Sequence, residues 1–188
     1  MNFFYEKFPE TVRIKGRDIP IITDFREYIR LLDMLKNREL DSYEKIWFVS
    51  QYFLESILVD DEAIRVLTDF VTMKDSDFEE LSSGERQSPG GPRRLFSYSA
   101  DYPYILSGFL RDYGIDLASA GYLHWWKFRM LFDGLSEDTE IKQRMMYRGI
   151  DLSTIKDKEE RKRISRIQRQ IQLPDETLTD YDIGSVFA

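Results

Sequence analysis

The chain of 188 residues has no cysteine and a single histidine, His124. Thiolate nucleophiles, iron–sulfur clusters, disulfides and Cys/His zinc sites are thereby excluded. Metal or acid–base chemistry is left with carboxylates. The densest acidic cluster, Glu137, Asp138 and Glu140, lacks the oxygen-ligand spacing of a calcium loop and reads instead as first-turn helix acids favoured by the macrodipole. The dipeptide Gly90-Gly91 is not followed by the Lys-Ser or Lys-Thr of a phosphate loop. A catalytic base needs a nucleophile and an orienting group close by, so His124, beside Trp125, is expected to be a packed or hydrogen-bonded side chain. The expectation is a non-enzyme with no catalytic residues, no cofactor and no metal.

Long hydrophobic runs are missing as well. No segment approaches the ~20 uninterrupted apolar residues of a membrane span, and MNFFYEKFPE lacks the basic lead and apolar run of a secretory signal. No membrane association is expected, and a cytoplasmic setting. Positive charge is in deficit, 27 Lys and Arg against 34 Asp and Glu, for a net charge of -7. That balance argues against general attraction to polyphosphate and makes nucleic acid an unlikely partner, while leaving room for a local basic patch.

What the sequence has in surplus is aromatic residues, 14% of the chain. These dominate cores and recognition surfaces alike. The fold class read from periodicity is mainly α: a multi-helix domain with a short N-terminal β-hairpin. Val12, Ile14, Ile19 and Ile21 alternate around Lys15-Gly16-Arg17-Asp18, with Gly16 free to take positive φ and Pro20 keeping the second strand at an edge. Thr23 or Asp24 then opens a helix with Phe25, Tyr28, Ile29, Leu32 and Leu35 on its apolar face, Asp24 and Glu27 having capping-box spacing. A second helix, from Asp41 to about Leu58, spreads its apolar residues over three faces. A third runs from Asp61 to about Met73. The Ser, Pro and Gly cluster within 82–94 reads as a flexible linker or exposed loop. Beyond it, Ser99 or Asp101 opens a helix that Gly114 ends, and Ser119 caps one from Tyr122 to about Asp133. Ser136 caps another through Arg148, and a last helix spans Asp157 to Ile171, before Pro174. The expected organisation is therefore 1–81, hairpin plus three helices; 82–94, linker; 95–173, a helical region packed with 1–81 as one domain; and 174–188, an acidic tail.

Two segments could carry function. In the helix from Tyr122, Tyr122, Leu123, Trp126 and Met130 share one side while Trp125, Phe128 and Phe132 share another nearly opposite. One face can fill the core. The other needs a second layer, from this chain or from a partner, and tryptophan and tyrosine are enriched at the energetic centres of interfaces. The partner-binding candidates are Trp125, Phe128, Phe132 and Trp126, with Trp47 of the second helix. The other segment, KDKEERKRISRIQRQIQ, places Lys158, Arg161, Lys162, Arg163, Arg166 and Arg169 on a helix whose seam is Ile164, Ile167 and Ile171. It fits a solvated docked helix, a coiled-coil contact or self-association, or a basic patch lacking interleaved aromatics.

TVRIKGRDIPIITDFREYI, FSYSADYPYILSGFLRDYGIDL and LHWWKFRMLFDGLSEDTEIKQRMMYRGIDLSTI, followed by a charged helix ending in Leu-Pro, together resemble the bacteriophage gene-product-fifteen family of siphophages and prophages. The resemblance spans most of residues 9–174, and it is carried by segments outside the linker and the acidic tail. It implies a tail assembly chaperone in the host bacterial cytoplasm, coating the phage tape measure protein until the tail tube polymerises around it. Alternatives are a tail or connector component retained in the virion and a nucleic-acid-binding regulator.

Overall fold

Two consecutive positive φ angles, 49° at Lys15 and 78° at Gly16, set the N-terminal turn. The computed structural model describes residues 3–74, 85–88 and 91–174. In it β1 (Thr11–Ile14) and β2 (Arg17–Pro20) pair antiparallel, with Ile14 opposite Arg17 and Val12 opposite Ile19. Arg17 and Asp18, expected in the turn, thus belong to β2. A two-residue connection with both φ positive follows the twist of the strands and needs nothing longer. Val12, Ile14, Ile19 and Ile21 are all buried.

Seven α-helices among the described residues make the chain mainly α: α1 (Phe25–Lys36), α2 (Ser42–Ser50), α3 (Asp61–Thr72), α4 (Tyr102–Tyr113), α5 (Trp125–Asp133), α6 (Glu140–Gly149) and α7 (Lys158–Gln170), with a 3₁₀ turn at Leu152–Thr154. Side chains cap most N-termini. Asp24 accepts from the Arg26 amide, Asp60 from Ala63 and Asp157 from Glu160. Asp41 and Glu44 close a reciprocal capping box at 2.8 and 2.9 Å.

Several boundaries differ from the sequence expectation, and each has a local cause. Helix α2 stops at Ser50 rather than near Leu58 because the chain beyond it pairs with the hairpin. The Ile22 amide donates to the Tyr52 carbonyl at 2.9 Å and the Leu54 amide to the Pro20 carbonyl at 2.8 Å. Helix α5 begins at Trp125, not Tyr122. Ser119 caps nothing there, its hydroxyl donating to Asp116 Oδ2 at 2.7 Å. The residues before α5 instead bridge to the entry of α1, with the Phe25 amide donating to the Leu123 carbonyl at 3.0 Å and the Trp125 amide to the Thr23 carbonyl at 2.7 Å. Thr139, rather than Ser136, caps α6, its hydroxyl oxygen accepting from the Lys142 amide. Within the segment read as a linker, β3 (Glu85–Ser88) and β4 (Gly91–Arg94) form an antiparallel pair with Glu85 opposite Arg94. Pro92 is compatible with β4 because a two-stranded ribbon has only edge strands. Residues 175–188, the rest of the expected acidic tail, lie outside the described residues.

By contacts, the described chain divides into two compact units: residues 3–74 with 121–130, and residues 85–88, 91–120 and 131–174. In the first, Tyr28 is fully buried among Tyr52, Phe70 and Trp125, with ring centroids 5.3–5.6 Å away. In the second, Ile105 and Phe109 of α4, Ile141 of α6 and Ile164 of α7 are buried. Asp101, which caps no backbone amide of α4, instead forms a buried ion pair with Arg148 at 2.7 and 2.9 Å. Arg148 also donates to the carbonyls of Leu95 and Ile171 at 2.9 and 2.8 Å.

Candidate protein-interaction surface

The aromatic segment is interior. Trp125, Phe128, Phe132 and Trp126, four of the five residues proposed to bind a partner, are between 0% and 3% exposed. They are therefore not available to a partner in the folded chain. Helix α3 explains part of this, because its last carbonyls have no partner within the helix. Trp125 Nε1 donates to the Val71 carbonyl at 3.0 Å and Trp126 Nε1 to the Phe70 carbonyl at 2.8 Å. Arg129 Nη1 also donates to the Val71 carbonyl, at 3.1 Å, placing a cation at the negative end of the helix dipole. Phe128 stacks on Phe25 at 4.7 Å. Phe132, in the other unit, packs against Phe96 at 4.8 Å and Tyr98 at 5.7 Å. The second layer that the two-sided pattern required is supplied by the chain itself.

His124 has a structural place here. Its Nδ1 accepts from the Trp126 amide at 3.1 Å, so the ring caps α5, and Nε2 lies 3.0 Å from the Pro9 carbonyl. Both contacts are satisfied together by the neutral ring protonated at Nε2. Burial holds its pKa below the usual histidine value, outweighing the Pro9 carbonyl and Glu10, which act the other way. Phenols in the same unit are also desolvated. Burial pushes Tyr28 well above its ordinary value and Tyr52 up to about 12, and the Tyr52 hydroxyl donates to the Glu27 carbonyl at 2.7 Å.

Trp47 is the exception among the five, 60% exposed. Helix α2 buries only Lys45 and Val49, which leaves Tyr43 and Trp47, one helical turn apart, in solvent together with part of Phe48. The Trp47 and Phe48 rings meet edge-on with centroids 5.0 Å apart. Leu54 and Leu58, on the non-helical segment after α2, are 63% and 77% exposed. One stretch of chain, residues 43–58, thus presents five large apolar side chains to water. Single exposed apolar residues are ordinary, but a concentration of them marks interaction sites. The sequence signal was the spread of apolar residues over three faces of this helix. Tyr43 was missed, although its spacing of four from Trp47 would have found it.

Among the described residues, no group of three or more His, Asp or Glu side chains could hold a metal ion, and no helix is long and apolar enough to cross a membrane. The exposed side chains of 43–58 have the chemistry of a protein contact, aromatic on α2 and aliphatic on the segment that follows it. Comparison with curated proteins and with solved structures finds no match. The family model described as Bacteriophage Gp15 protein matches residues 4–173, and the chain accordingly belongs to that family of bacteriophage proteins.

Proposed function

We propose that this phage protein is a tail assembly chaperone, non-enzymatic and active in the host cytoplasm, that binds the tape measure protein and keeps it soluble during tail morphogenesis. The observation that carries the reading is the exposed apolar set Tyr43, Trp47, Phe48, Leu54 and Leu58, in a chain belonging to a bacteriophage family. A long helical client with apolar stripes is bound by laying those stripes on such a surface. Trp47, with its large area and few rotatable bonds, is the natural anchor. Against the sequence expectation, this interface keeps Trp47, discards Trp125, Trp126, Phe128 and Phe132, and adds Tyr43, Phe48, Leu54 and Leu58.

Co-expression with the tape measure protein of the same phage tests the reading. The client should become soluble and co-purify with the chain. A client that stays insoluble, with no complex recovered, overturns it. Mass spectrometry of purified virions separates a chaperone, which is absent from them, from a tail or connector component, which is retained.

A further inference from the structure

Helix α7 carries a one-sided basic stripe. Lys158, Arg161, Lys162, Arg166 and Arg169 are all exposed and line one groove of about 550 Å³ beside the 3₁₀ turn. At 100° and 1.5 Å per residue they fall on one side of the helix over about 16 Å. The other side docks the helix: Ile164 is buried, and Gln168 Nε2 donates to the carbonyls of Tyr147 and Ile150 at 2.8 Å each. Lys162 is paired with Glu159 at 2.9 Å. The other four cations make no ion pair with any described residue, and no carboxylate among the described residues lines the groove.

We propose that this stripe binds the phosphate backbone of duplex DNA. Three features select that occupant. An apolar or aromatic anchor of a protein partner finds no seat here, since beyond its cations the groove offers, among the described residues, only Leu152 and Ser165, whereas protein–DNA interfaces are polar and strongly cationic. Single strands are bound by stacking bases on aromatic rings, and among the described residues none lines the groove. A rigid helix with a broad basic face enters the major groove of B-form DNA but is excluded from the deep, narrow groove of duplex RNA. Because the whole chain carries -7, attraction is confined to short range, and binding weakens steeply with salt.

Fluorescence anisotropy of the full chain with a labelled random-sequence duplex DNA measures this. At a slope of about 0.9 per phosphate in log affinity against log salt, four or five contacts give roughly a 150- to 500-fold loss of affinity between 50 and 200 mM salt. Replacing Arg161, Arg166 and Arg169 by glutamine, a good helix former, should leave the circular dichroism unchanged and make the salt slope shallower by about 2.7. Should the triple variant misfold, Arg161→Gln alone should lower the slope by about 0.9. Absence of binding at 50 mM salt, an unaltered slope in the folded variants, or equally tight binding of polyglutamate, single-stranded DNA or duplex RNA would overturn the proposal.

Discussion

His124 and Arg148 show how single polar side chains hold this fold. The neutral His124 ring is both the cap of α5 and a buried group, so protonation would charge it and remove the acceptor of the Trp126 amide. Its folded-state pKa lies below the unfolded value of about 6.5. The unfolded chain therefore binds the proton first. The stabilising contribution is complete above pH 6.5 and is lost as pH falls through the folded value. Urea unfolding between pH 7 and about 5.5 should show stability falling with pH in the parent chain. His124→Asn, which keeps a capping oxygen without titrating, should remove that fall; an equal fall in the variant would contradict the assignment. Arg148 neutralises Asp101 in the interior of the second unit. Arg148→Met leaves a buried carboxylate without its cation and should cost roughly 3–5 kcal/mol, read as a lowered urea midpoint. A midpoint within experimental error of the parent would contradict the role given to the pair.

At the scale of elements, of the two helices that supplied partner-binding candidates, α2 keeps its candidate Trp47 in solvent while α5 buries all four of its own. The two-sided aromatic pattern of α5 was legible; its meaning was not. Periodicity reports that both faces need cover but not who supplies it, and the cover comes from Phe25, Tyr28 and α3 on one part of the helix and from Phe96 and Tyr98 on another. Helix positions and most caps followed from local chemistry. Boundaries went wrong where backbone groups found partners distant in sequence, as at Tyr52 with Ile22 and at Leu123 with Phe25. The β3–β4 pair was hidden because its Pro and Gly content is that of a loop. Paired substitutions test this division of α2 from α5. Trp126→Ala should destabilise by roughly 3–5 kcal/mol as a core truncation that also removes the indole hydrogen bond to the Phe70 carbonyl. Trp47→Ser should change stability by no more than about 0.5 kcal/mol. Thermal or urea unfolding distinguishes them, and comparable losses would place Trp47 in the core.

Across the whole molecule, the chain keeps exposed apolar side chains along α2 and the segment after it while remaining strongly acidic overall, -7 in net charge. Like charge keeps copies apart in solution, which suits the proposed role of holding an apolar client without self-aggregation. The central claim is that residues 43–58, and not the tryptophan-rich segment of α5, contact that client. It is tested most directly by quantitative co-purification of the tape measure protein with the parent chain and with the double variant Trp47→Ser, Leu54→Ser. Retained fold and stability with at least a tenfold loss of recovered client, about 1.4 kcal/mol of binding, is the predicted result. Undiminished recovery of the client by the folded double variant would contradict the account.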